Sequence, residues 1–219
     1  MKKVFLTIVN ICLIIFIGNA QDILKKANNF IDLLGAEQKT GTLFPFDSEE
    51  RYNFHFVPFV RKGITFNEMN AQQTEAGLAL LRACLSEMAY KKATDIVAME
   101  VVLKEIENRK PEDKYRDPGN YHFSIFGIPS SKTIWGWRFE GHHISYNFSF
   151  DKKMIVSGTP GFMGSNPAVV LTGSKKGKEI LKEETEEGFQ VLNSLDAAQL
   201  RKAIIDTIAY KDILTFDKR

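Results

Sequence analysis

The segment from Trp135 to Phe150 cannot be one uninterrupted β-strand with a single apolar face. Its apolar residues are odd-numbered before Gly141 (Trp135, Trp137, Phe139) and even-numbered after it (Ile144, Tyr146, Phe148, Phe150). Successive side chains of a strand point to opposite faces, so the two sets share a face only if the phase changes near Gly141. Two local structures make that change. One is a tight hairpin turning at Gly141-His142, with glycine supplying the positive φ of the first central position. The other is a bulge at Gly141. Either puts Arg138, Glu140, His143, Ser145 and Asn147 together on the opposite, polar face. In the hairpin, Glu140 and His143 are directly opposed, with Cβ atoms about 5 Å apart.

Around this segment the patterning predicts helices grouped about a meander. Residues 22–34 have helical spacing, and Tyr52, Phe54 and Phe56 alternate with polar residues as a half-buried strand would. Asn70 with Gln73 resembles a capping box opening a helix that buries Leu78, Leu81, Leu85 and Met88. A second helix over 93–107 buries Ile96, Met99, Leu103 and Ile106. Strands are expected over 121–126, 134–140, 143–150 and 154–157, followed by a Gly/Pro-rich loop over 158–167 and helices over 178–193 and 196–208. The order implies an α+β fold, a central and mainly antiparallel β-sheet packed by helices, in a single domain over residues 21–219.

Residues 1–20 read as a cleavable export signal: a basic start at Lys2 and Lys3, an apolar run from Val4 to Ile17, and small residues at Gly18 and Ala20. The run is shorter than the roughly 20 apolar residues that span a bilayer. The expected location is periplasmic or extracellular, with no membrane contact after cleavage. Losing Lys2 and Lys3 leaves 27 basic residues against 27 acidic ones. A neutral chain without a basic stripe argues against nucleic acid as a partner. The mature chain keeps one cysteine, Cys84, which shares a helical arc with Leu81, Leu85 and Met88 and reads as an inert core thiol.

The chemistry-bearing residues gather at the phase change. Glu140 could orient His143 as a general base, with Arg138 holding an anionic group of the substrate. Glu140, His142 and His143 could instead ligate one divalent metal, zinc or iron, both of which accept imidazole and carboxylate. Glu184 is a further candidate ligand. At about 100° per residue it falls within the apolar arc of Ile180, Leu181, Gly188, Val191, Leu192 and Leu195, where a carboxylate is costly unless paired or metal-bound. The competing account is a solvated sheet face on which Arg138 pairs with Glu140. Trp135, Trp137 and Tyr146, if exposed together, would form a platform for a carbohydrate or peptide.

The string Trp135-Gly-Trp-Arg-Phe-Glu-Gly-His-His-Ile-Ser145, preceded by Tyr121-His-Phe-Ser-Ile-Phe-Gly-Ile-Pro129, resembles the bacterial family known as domain of unknown function 3500. Arg61-Lys-Gly-Ile64, Thr159-Pro-Gly-Phe-Met-Gly-Ser-Asn-Pro167 and Glu183-Glu184 followed by Leu192-Asn-Ser-Leu-Asp196 fit as well. The resemblance runs from about Phe54 to Ile205 and implies no established biochemical role. It also implies a longer chain ending in an Asn-His-x-His segment, which is not found before Arg219. Three expectations follow: a metal-dependent hydrolase or oxidase built on the Glu/His cluster and acting on a small molecule or peptide; a non-catalytic binding module; or a truncated family member whose missing C-terminal segment comes from a second polypeptide.

Overall fold

The computed structural model describes residues 22–208; the expected leader, residues 1–20, lies outside the described residues. Helix α1 spans 22–33 and is followed by α2 (Ala36–Thr42), β1 (Leu43–Phe44) and a 3-10 turn over Glu49–Tyr52. Next come β2 (Ile64–Thr65), a second 3-10 turn over Phe66–Glu68, and helices α3 (Ala71–Cys84) and α4 (Glu87–Ile106). The β region holds β3 (His122–Phe126), β4 (Ile134–Gly141), β5 (Ile144–Asp151), β6 (Met154–Ser157) and β7 (Gly161–Met163), and α5 (Lys182–Asn193) and α6 (Ala197–Ala203) follow. The fold is α+β, around a seven-stranded, mostly antiparallel sheet. Strands β3, β4 and β5 form its antiparallel centre; β1 pairs β3 in parallel, β2 pairs β3, and β6 and β7 both pair β5.

The phase change at Gly141 is a hairpin. Phe139 faces Tyr146, Trp137 faces Phe148 and Trp135 faces Phe150, so the odd and even apolar sets lie on one face. Phe123 and Ile125 of β3 join them opposite Phe139 and Trp137. Trp135 stacks on Phe150 with ring centroids 4.1 Å apart and planes 7° apart. The face packs against Ile23, Ala27 and Phe30 of α1, Leu80 and Leu81 of α3, and Ile96 and Met99 of α4. Trp135 and Trp137 are therefore core residues and Tyr146 is buried with them, which removes the expected tryptophan platform.

Several boundaries differ from the sequence expectation. Ser86 caps a new helix by accepting from the Ala89 N–H, so α4 begins at Glu87 rather than at Ala93, and Met88 lies exposed in its first turn instead of in the core. Ile106, the last residue of α4, is exposed as well. Phe54 and Phe56 are buried, but no strand forms there. The carbonyls of His55 and Val57 are taken by the Arg61 guanidinium rather than by a neighbouring strand. The expected loop over 158–167 contains β7, which pairs with β5 beside the hairpin tip. Helix α5 starts at Lys182 and buries none of its residues; Ile180 and Leu181, just ahead of it, reach the core. Among the described residues, no helix is long and apolar enough to cross a membrane.

Candidate functional site

The polar face of the hairpin carries Arg138, Glu140, Ser145 and Asn147 as the parity argument requires, but it is not solvated. The segment from Glu50 to Lys62 covers it. Arg138 is fully buried: it donates to the Glu50 and Asn53 carbonyls at 2.8 and 2.6 Å and to Glu50 Oε1 at 2.5 Å. Glu140, 1 % exposed, sits between two cations, with Arg138 Nε 2.8 Å from its Oε1 and Arg61 Nε 3.4 Å from its Oε2. Neither Nε reaches a hydrogen bond of good geometry, and these contacts are chiefly coulombic. Burial lifts the Glu140 carboxyl to about 7, and the pull of the two guanidiniums in the opposite direction is outweighed. Burial also lowers Arg61, with the Glu140 charge opposing it.

The hairpin turns one residue later than expected, at His142-His143, with Glu140 opposite Ser145. His143 carries the positive φ, 61°, and Gly141 serves a different purpose: a Cβ there would lie 2.2 Å from Cδ1 of Tyr121. Moving the turn by one residue advances both strands together, so the faces are unchanged while His143 leaves the ladder. The tip is held from outside the hairpin. The Tyr121 hydroxyl donates to the His142 carbonyl at 2.8 Å, Arg61 donates to the Gly141 carbonyl at 3.1 Å, and the His143 N–H donates to Phe56 O at 2.6 Å. Burial keeps the Tyr121 phenol well above its ordinary value, and therefore a donor.

This tip meets α4. His142 Nδ1 lies 2.5 Å from Oε1 of Glu100, a buried carboxylate on the inner face of that helix. Arg116 Nη1 stands 3.3 Å from the same nitrogen and 3.9 Å from Glu100 Oε2. Nδ1 cannot both give a proton to Glu100 and accept one from Arg116. The shorter contact, to a carboxylate, makes it the donor and sets Arg116 as a cation beside Glu100. Arg116 is in turn clamped to Glu107 Oε1 by its Nη2 at 2.6 Å and its Nε at 3.0 Å. His142 Nε2 makes no hydrogen bond among the described residues, and the ring lines a cavity of about 360 Å³. The wall comprises Pro58, Phe59, Val60, Arg61, Glu100, Lys114, Tyr115, Asp117, Asn120, Tyr121 and His142. On the other side of Arg61 a second cavity of about 210 Å³ reaches Glu140 past Glu50, Asn53 and His55.

The structure separates the residues expected to act together. Glu140 and Arg138 meet, but within the buried ion cluster. His143 sits at the turn with its ring 4.0 Å from that of His142 and does not oppose Glu140. Glu184 does not face the core: its side chain is half exposed, both its oxygens lie 2.8 Å from Lys92 Nζ, and this ion pair lowers its carboxyl below the ordinary value. The expected metal set of Glu140, His142, His143 and Glu184 is thus not assembled. Among the described residues no three His, Cys, Asp or Glu side chains gather as a metal would require. A carboxylate already facing two guanidiniums is also a poor ligand for a further cation.

The family described as "Protein of unknown function (DUF3500)" matches residues 18–219. The chain belongs to this family. The match covers nearly all of the chain and extends beyond the stretch of resemblance read from the motifs. No curated protein and no solved structure matches. Within this family member, Glu100 and Arg116 were not among the expected site residues, and Arg61 was marked only as part of the Arg61-Lys-Gly-Ile64 string. Glu100 had a signal: at 100° per residue it lies only about 40° from Ile96 on its helix, inside the buried arc, by the reckoning that singled out Glu184. Arg61 and Arg116 lie in irregular segments, where no periodicity marks the buried side.

Proposed function

We propose that the protein is an exported hydrolase that works by general acid–base catalysis, with His142 as the base and Glu100 as the group that orients it. The observation carrying this reading is the 2.5 Å contact between His142 Nδ1 and Glu100 Oε1 at the wall of a cavity large enough for a small substrate. With Nδ1–H committed to Glu100, the Nε2 lone pair is the one available to take a proton. The wall includes no serine, threonine or cysteine, and in this reading water is the nucleophile. Nε2 accepts a proton from water as its oxygen adds to an acyl carbonyl, and the resulting imidazolium returns that proton to the leaving group. Tyr121 and Arg61 fix the backbone of the tip, while Arg138 and Glu140 anchor the strand behind it.

Hydrolysis of an activated aryl ester by the purified protein tests this. His142→Asn is expected to lower kcat by at least about a hundredfold. Glu100→Gln is expected to lower kcat with KM little changed, because it keeps the shape of the wall and removes the charge that orients the base. Turnover no faster than buffer for the wild type, or unchanged in His142→Asn, would refute the reading. The zinc- or iron-dependent form of a hydrolase or oxidase has weaker support, since the expected carboxylate ligands, Glu140 and Glu184, are held by arginine and lysine. Less than about a tenth of an equivalent of either metal is expected by elemental analysis of protein purified without chelator.

A further inference from the structure

We propose that the cavity beside His142 selects a small hydrolysable acyl compound that also carries a free carboxylate and an apolar, preferably aromatic, body. This inference rests on the reading of His142 as the base and names the substrate class for that site.

Three large apolar side chains on the cavity wall are left facing solvent: Phe59 is 54 % exposed, Val60 90 % and Tyr115 49 %. None of them is left there by a loose chain. Arg61, its side chain buried, donates to the carbonyls of His55, Val57 and Phe59 at 3.2, 2.6 and 3.1 Å, and the His55 ring stacks on Phe59 at 4.2 Å. Tyr115 is held from the other side. Its N–H donates to Asp113 Oδ1 at 2.7 Å, and the Arg109 and Arg116 guanidiniums lie 4.2 and 4.7 Å from its ring centroid. Holding apolar groups in water brings no folding benefit. Rigid apolar walls on both sides of a cavity lower the ordering cost of binding an apolar ligand between them.

The charge of the ligand follows from which wall charges are already occupied. Glu100 is taken by His142 and Arg116, and Asp117 by the Gly119 N–H at 2.7 Å and Asn67 Nδ2 at 2.8 Å. Arg61 spends its nitrogens on carbonyls and on Glu140. Among the described residues, Lys114 alone of the charged wall groups has no hydrogen bond or ion pair, and it is the exposed chain neighbour of Tyr115. Its ammonium suits the carboxylate, while the apolar body lies against Phe59, Val60 and Tyr115. A cavity of about 360 Å³ is at the small end of ligand sites, which run from about 300 to 1,000 Å³.

Calorimetric titration with phenylacetate, phenethyl alcohol and phenethylamine tests the proposal on a common aromatic body. Phenylacetate is expected to bind about tenfold more tightly than the other two, and Lys114→Gln is expected to remove most of that preference. Phe59→Ser is expected to weaken all three probes. Equal binding of the three, preference for the amine, absence of binding, or indifference to both Lys114→Gln and Phe59→Ser would overturn it. The heat of binding does not depend on turnover. Retained phenylacetate preference in a protein without esterase activity would therefore sink the catalytic reading and leave the site standing, whereas ester hydrolysis without the preference would do the reverse.

Discussion

Glu140→Gln replaces the buried carboxyl by a neutral group of nearly the same shape, and it converts the Glu140 environment into a measurable dependence of stability on pH. The wild-type carboxyl moves from an ordinary value of 4.5 to about 7 on folding, because burial outweighs two neighbouring guanidiniums. Below 4.5 the group is protonated in both the folded and unfolded chains, and the fold pays nothing for it. As pH rises from there the unfolded chain releases the proton first, so stability falls, and the loss is complete once pH has passed through the folded value of about 7. At about 1.4 kcal/mol per tenfold change in proton affinity, the gap amounts to about 3 kcal/mol. With a urea dependence of about 2 kcal/mol per M for a chain of this size, that is a change of about 1.5 M in midpoint. Urea unfolding of wild type and Glu140→Gln at a series of pH values isolates it, since most other titrating groups cancel in the difference. The stability of the wild type relative to the variant is expected to decline by about 3 kcal/mol between about pH 4.5 and about pH 8. A difference that stays flat, or one that grows with pH, would mean that Arg61 and Arg138 keep the carboxylate ionised throughout, and the reasoning would fail.

Gly141→Ala would set a Cβ 2.2 Å from the Tyr121 ring, which is backed by Phe139 at 5.8 Å. It is expected to cost about 2–3 kcal/mol in urea unfolding and to lower ester turnover by displacing the hydroxyl that holds His142, and a cost below about 0.5 kcal/mol would contradict the packing. Burial pushes the Cys84 thiol up to about 12, so the native protein is expected to resist an aromatic disulfide reagent near pH 8 and to react fully once unfolded. Trp135 and Trp137 are both essentially without exposure, so acrylamide should quench native fluorescence far less than that of the denatured chain; equal quenching in the two states would place the rings outside the core.

Local pattern alone determined which side chains share a face. The odd–even reversal about Gly141 required a phase change, by hairpin or bulge, that points Trp135, Trp137, Phe139, Ile144, Tyr146, Phe148 and Phe150 one way, and the hairpin obeys it although its turn is one residue away from the expected place. Alternation fixes the parity of pairing but is blind to a joint advance of both strands. The exact turn was chosen by Tyr121, Arg61 and Phe56, which bind the tip from elsewhere in the chain. What covers the polar face was likewise a tertiary matter: Glu50 reaches Arg138 across 88 residues, and Glu100 reaches His142 across 42. Periodicity reports a side chain's direction relative to its own helix or strand. It carries no information about which charged group another element will deliver to that side, and so the imidazole legible at the hairpin acquired its carboxylate partner only through the packing of α4 against the tip.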